Sequence, residues 1–171
     1  NIPAIVLSVG PMINSYFKGK LAGSGMAVWE ARRLLAAGEI NQDEFFEMVL
    51  ASAPSPGHCN TMGTATSMNS LAEALGMSLP GCAAPPAPHK DRAVMAYETG
   101  KRIVEMVWED LLIRDVVDAR AIDNAVTTVL ALGGSTNAIV HLIAIARRAG
   151  VPLDLARFDA LARRTPVLAN I

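Results

Sequence analysis

Ile2-Pro-Ala-Ile-Val-Leu-Ser-Val-Gly10 is the stretch on which the fold class turns. Ile5 to Val9 is an apolar run of strand length closed by Gly10-Pro11, the pattern of a buried parallel strand followed by a turn. A second short apolar run, Pro166-Val-Leu-Ala-Asn-Ile171, stands at the other end. Nearly everything between reads as helix. Strands at both ends enclosing helices predict an α/β fold, in which this segment supplies a helical layer over a parallel sheet. The chain starts on Asn1 and runs directly into the first strand, so it is expected to be an excised segment of a longer protein.

Working inward, Met12 to Gly25 reads as a glycine-bearing loop. Met26 to Ala37 carries Val28, Ala31, Leu34 and Leu35 at helical spacing and stops at Gly38. Asn41, three residues before Glu44, has the pattern of a capping box and opens a second helix through Phe45, Phe46, Met48, Val49 and Leu50. Thr64 to Met77 is predicted helical, with Met68, Leu71, Ala72 and Leu75 on one face. Leu79-Pro-Gly-Cys-Ala-Ala-Pro-Pro-Ala-Pro88 is too proline-rich for a helix or central strand and predicts an extended crossing. Helices follow over Asp91–Leu111 (using Val94, Tyr97, Ile103, Val104 and Val107), Arg120–Leu132, Ser135–Ala149 and Asp154–Arg163.

Composition narrows the function classes. Of 171 residues, 51% are hydrophobic and 18% charged, which excludes a disordered or tail-like chain and allows one sizeable core. A net charge of -1, without a Lys/Arg cluster interleaved with aromatics, gives no reason to expect nucleic acid. The longest apolar segment, Ala138 to Ala146, is far too short to span a bilayer, so no membrane partner is expected. The first residues lack a basic region ahead of an apolar core, so no signal peptide is expected. Two cysteines without a framework, beside eight Met, fit a reducing compartment, and a cytoplasmic location is expected.

Two stretches attract chemistry. In Ser55-Pro-Gly-His-Cys-Asn-Thr-Met-Gly63, Cys59 lies in a turn-rich loop ahead of a helix, where free N–H groups and the helix dipole favour a thiolate. Metal ligand, nucleophile and buried packing residue all remain open. No second Cys lies at zinc-site spacing, so a local metal cluster would need distant ligands. His58 is the nearest candidate base, although sequence neighbours on an extended loop point apart. Cys82 reads as a packing residue, His89 as solvated and His141 as a core histidine. In Gly133-Gly-Ser-Thr-Asn137, Ser135 or Thr136 can cap the following helix, and such an N-terminus suits a carboxylate or phosphate. A well-capped helix with no ligand explains the same residues. Neither a Walker loop nor a dinucleotide fingerprint is present.

Four segments carry a resemblance: Gly10-Pro-Met-Ile-Asn-Ser-Tyr-Phe-Lys-Gly19, Ser55 to Ala65, Glu73-Ala-Leu-Gly-Met-Ser-Leu-Pro80 and Leu132-Gly-Gly-Ser-Thr-Asn-Ala138. Together, and in this order, they resemble the dihydroxy-acid dehydratase/phosphogluconate dehydratase family, with the Cys59 and Phe17 segments closer to the sugar-acid (arabonate or xylonate) dehydratases. The resemblance implies an iron–sulfur hydro-lyase converting a 2,3-dihydroxy sugar acid to a 2-keto-3-deoxy acid. It implies a [2Fe-2S] cluster (or [4Fe-4S]) on three distant cysteines with one iron open to substrate, and a Mg2+. Cys59 matches the third cluster cysteine. The other two, one in a Cys-Asp-Lys-Thr motif, are expected upstream of Asn1. The Mg2+ ligands match nothing here, and the catalytic serine is expected in a C-terminal domain absent from the chain, so this segment is expected to hold no catalytic residue and to be inactive alone. Residues 1–171 would then be part of the N-terminal cluster-binding α/β domain of a homodimer or homotetramer acting on a small sugar acid. Ser135 and Thr136 are the substrate-binding candidates. Other readings are the dehydratase of branched-chain amino acid synthesis, a non-catalytic helical binding module, and a cysteine hydrolase or transferase using Cys59 and His58.

Overall fold

The computed structural model describes residues 2–169. Its elements are β1 (Tyr16–Phe17), β2 (Lys20–Leu21), α1 (Ser24–Ala36), α2 (Gln42–Ala51), α3 (Thr64–Ala74), α4 (Lys90–Trp108), α5 (Ile113–Val116), α6 (Ala119–Ala131), α7 (Asn137–Ala149) and α8 (Leu155–Ala162). Seven of the eight helices fall where the periodicity predicts them. The start of α2 is fixed as its sequence requires: Glu44 N–H donates to Asn41 Oδ1 at 2.9 Å and Asn41 N–H to Glu44 Oε2 at 3.2 Å. The short α5 is an addition.

The apolar stripes assemble one core. α6 buries Ile122, Ala125, Val126 and Val129, and packs against α3, α7 and α8. Leu71 of α3, Leu142 and Ala146 of α7, and Phe158 and Leu161 of α8 complete it. Spacing of three and four residues puts each set on one helical face, and burial of those faces drives the assembly. α1 packs on α2, and β1 packs on α2 as well.

The described residues form a mainly helical fold with one small antiparallel sheet, and no parallel sheet is formed among them. The only named sheet among the described residues is the β1–β2 hairpin, pairing Tyr16 with Leu21 and Phe17 with Lys20. It lies inside the stretch read as a loop, and its turn residues Lys18 and Gly19 both have positive φ, the geometry that tight hairpins require. Ile5–Val9 pairs with no strand among the described residues and leaves Val6, Leu7 and Val9 exposed, because a parallel strand depends on non-local neighbours. Of the C-terminal run, 166–169 is irregular, with the Leu168 and Ala169 amides on the Ala131 carbonyl, and 170–171 lie outside the described residues.

Two smaller expectations also change. α4 buries Thr99 and Met106, whereas Val94, Tyr97, Val104 and Val107 stand exposed. His141 is exposed because α7 turns Ala138, Leu142 and Ala146 inward, leaving the intervening position on the outer face. No helix among the described residues is long and apolar enough to cross a membrane.

Candidate functional site

Cys59 sits in a loop held from both sides. Upstream, His58 N–H donates to Gly10 O at 3.0 Å and Met12 N–H to His58 O at 2.9 Å, a parallel bridge between Pro11 and His58. Downstream, Thr66 Oγ1 in the first turn of α3 donates to the carbonyls of Thr61 at 2.7 Å and Cys59 at 3.3 Å. The loop thus bridges the 8–12 segment and the N-terminus of α3.

The thiol meets partners that no local pattern reveals. Ser24 Oγ donates to Cys59 Sγ at 2.7 Å, and Thr61 Oγ1 lies 2.8 Å from it. Ser24 is the first residue of α1, so the N-terminus of α1 reaches the sulfur. Asn60 Oδ1 secures this approach by accepting Ser24 N–H at 3.2 Å. Burial pushes the Cys59 thiol up, but the Ser24 and Thr61 hydroxyls and the Thr61 and Gly25 backbone N–H groups together hold it below its ordinary value. Cys59 is half-buried and free. Such a sulfur is ionised more readily than an ordinary thiol yet remains reachable, which suits both a metal ligand and a nucleophile.

His58 does not serve the sulfur. Its Nδ1–H donates to the carbonyl of Cys59 at 2.9 Å, while Nε2 is buried with no partner among the described residues. The ring lines a groove of about 1100 Å³ with Val6, Met68, Leu75, Ile113 and Ile145. A thiol–imidazole pair is therefore not formed. Cys82 is fully buried, as a packing residue would be, and His89 is exposed at the start of α4, where its Nδ1 accepts Asp91 N–H at 3.3 Å.

The second candidate stretch meets the first through α3. Ser135 Oγ lies 3.0 Å from Thr64 Oγ1, Asn137 Nδ2 donates to Thr64 Oγ1 at 2.9 Å, and Ser135 N–H donates to Ser67 Oγ at 2.9 Å. Thr136 is the N-cap residue of α7 but is exposed and makes no side-chain cap; the Asn137 N–H instead donates to Ser135 Oγ at 3.3 Å. The N-termini of α3 and α7 thus converge on one patch of hydroxyls. Among the described residues no group of three or more His, Cys, Asp and Glu side chains is placed to hold a metal ion. The sequence reading missed Ser24 and Thr61. Thr61 is two residues from Cys59, but Ser24 is 35 away and carries no signal beyond opening a helix.

Ser24→Ala removes one donor to the sulfur. The pH at which Cys59 becomes rapidly alkylated is expected to rise towards that of a free thiol, read from iodoacetamide rates across pH. An unchanged profile would show that Ser24 contributes nothing to ionisation.

The sequence model described as "Dihydroxy-acid/6-phosphogluconate dehydratase N-terminal" matches residues 1–171. The chain is 52% identical over 171 residues to the D-xylonate dehydratase of Caulobacter vibrioides, covering all of this chain and 29% of that protein. It is 47% identical to the L-arabinonate dehydratase of Rhizobium leguminosarum, covering all of this chain and 30% of that protein. Over 174 aligned residues it is 44% identical to the dihydroxy-acid dehydratase of Methanospirillum hungatei, covering 31% of that protein. The chain spans about three-tenths of the length of these relatives. With its whole length matched by the N-terminal model, the chain belongs to the dihydroxy-acid/6-phosphogluconate dehydratase family.

Proposed function

We propose that the full-length protein is an iron–sulfur, Mg2+-dependent hydro-lyase that converts a 2,3-dihydroxy sugar acid to a 2-keto-3-deoxy acid and water. The observation that carries this reading is the 52% identity to a D-xylonate dehydratase along the whole chain, above the 44% to a dihydroxy-acid dehydratase.

Cys59 is assigned as one thiolate ligand of the cluster, of [2Fe-2S] or [4Fe-4S] type. The donor chemistry fits, because a sulfur held below its ordinary thiol value and left half-exposed is prepared to ligate. One thiolate is not a full set, so the remaining cluster and Mg2+ ligands are assigned to chain beyond these residues. When bound, such groups would supply Lewis acidity for departure of the C3 hydroxyl and for holding the carboxylate and C2 hydroxyl. The Ser24 and Thr61 hydroxyls favour the thiolate and orient the sulfur. Ser135 and Thr136, at the start of α7, are assigned to the substrate carboxylate, which a helix N-terminus favours.

The same reading assigns residues 1–171 to the N-terminal cluster-binding α/β domain, with Ile5–Val9 paired in a parallel sheet. Support comes from the segment's two edges. Val6 N–H donates to Met77 O at 2.7 Å, Ser8 O accepts from Arg92, and Gly10 O accepts His58 N–H, so the even-numbered edge is used. Ile5, Leu7 and Val9 have no backbone partner among the described residues, and an extended chain points them to the opposite edge. Slow amide exchange at Leu7 and Val9 in the full-length protein is expected; free exchange there would count against the sheet.

Turnover tests the activity directly. Purified full-length protein, loaded with iron and sulfide, is expected to form 2-keto acid from D-xylonate or L-arabonate faster than from a branched 2,3-dihydroxy acid. The reverse preference would move the protein to the branched-chain activity, and no product from any of them would refute the proposal.

A further inference from the structure

Two separate pieces of chain meet at the Arg92 guanidinium. Nη1 donates to Ser8 O at 3.0 Å and Cys82 O at 2.9 Å, and Nη2 donates to Pro85 O. One side chain in the first turn of α4 therefore ties the 8–12 segment to the proline-rich crossing. Asn69, a buried residue of α3, clasps the same two pieces: its Nδ2 donates to Ala83 O at 2.9 Å and its Oδ1 accepts from Ser8 Oγ. Bonds from a cation to carbonyls are stronger than neutral ones, and a planar fork can serve several acceptors at once.

From there the contacts run on to Cys59. Gly10, at φ +89°, passes so close that a Cβ on it would lie 2.2 Å from Arg92 Nη2 and 2.4 Å from Pro85 O. Pro11 O accepts Ala87 N–H at 2.8 Å, which closes the crossing on the segment. Gly10 O and Met12 N–H then fix His58 from both its backbone groups, and His58 is bonded through its ring to the carbonyl of Cys59. Cys59 thus inherits its register from a segment whose place is set some distance away.

We propose that Arg92 is a positioning residue for Cys59: with Asn69 opposite, it sets the place of the 8–12 segment, from which the Cys59 loop takes its backbone register. The importance of that placement for ligation rests on the function proposed above; the placement itself does not. A residue that merely adds stability would slow or speed exchange everywhere together, whereas a positioning residue acts on the loop.

Amide exchange on the full-length protein separates the two. The reporters are His58, Met12 and Ala87, whose N–H groups make the three bonds linking the segments; Leu142 and Ala146 in α7 report on the core. In Arg92→Met the reporters are expected to exchange at least about tenfold faster, the effect of losing hydrogen bonds to a charged group, while Leu142 and Ala146 are unchanged. Arg102→Met, on the same helix but engaged only with Glu105 and Glu109, is expected to leave all five at wild-type rates. Iron per chain is expected to fall in Arg92→Met and not in Arg102→Met. Should the wild type bind no iron, the function proposed above fails while the exchange result still stands. Arg92→Lys keeps the charge without the fork and is expected to accelerate the reporters by an intermediate factor, which carries the test if the methionine variant does not fold. Reporters that stay at wild-type rates in both variants, or that accelerate only in step with α7, would overturn the proposal.

Discussion

Cys59→Ser in the full-length protein is expected to lose bound iron and acid-labile sulfide, and dehydration with them. Serine is nearly the same size, and its hydroxyl can accept from Ser24 Oγ, which donates to the sulfur at 2.7 Å, and can bond to Thr61 Oγ1, which lies 2.8 Å from the sulfur. The loop therefore has little reason to rearrange, and circular dichroism and the unfolding midpoint are expected to stay at wild-type values. What changes is the donor. A serine hydroxyl does not ionise near neutral pH, whereas this thiol is already held below its ordinary value. The substitution thus separates ligation from folding. A Cys59→Ser protein that kept both cluster and activity would sink the ligand assignment.

The depressed thiol also gives the native state a pH dependence. A group whose folded value lies below its unfolded value adds stability above the unfolded value and loses it as pH falls through the folded one. For Cys59 that window lies below the ordinary thiol range, so its contribution is greatest in alkaline solution.

Gly57→Ala is expected to be the most damaging small substitution in this region. Gly57 has φ +131°, a conformation L side chains rarely adopt, and an added Cβ would lie 2.5 Å from Met12 N and 2.6 Å from Pro11 C. Both contacts are with backbone, so no rotamer change relieves them. The two strands of chain must separate, breaking the Met12–His58 and His58–Gly10 hydrogen bonds that hold the Cys59 loop. Strained backbone and overpacking each cost roughly 1–3 kcal/mol, so a loss of about 3 kcal/mol or more is expected in denaturant unfolding. Ala at Gly100, where nothing lies within 4 Å, is the matched control and is expected to cost nothing of that size. Equal unfolding midpoints for the two variants would show that the Pro11–His58 contact is not tight.

Where chemistry is local, the sequence was readable. The Asn41–Glu44 capping box, the stops at Gly38 and Gly150, and the core face of α3 follow from residues within a turn or two of each other. Cys59 could be singled out for the same reason, by its turn-rich loop ahead of a helix. The hairpin at Lys18-Gly19 was missed because two-residue strands leave no periodicity to read.

Long-range relations were not readable. Ile5–Val9 has the apolar run of a buried strand, yet its pairing is decided by whatever lies beside it, and an isolated run of residues does not encode its neighbour. His141 shares an apolar stretch with Leu142, but one residue is a rotation of about 100° on a helix, enough to move it from the core to the surface. Ser24 reaches Cys59 across 35 residues because α1 happens to point its N-terminus there, and Arg92 reaches Ser8 across 84. By itself the sequence determined seven of the helices described here, the buried face of α3 and the cysteine worth attention, since each rests on spacing along the chain. Only the tertiary structure decided what surrounds the sulfur, because the Ser24 hydroxyl and the N-terminus of α1 reach it from a distant part of the chain.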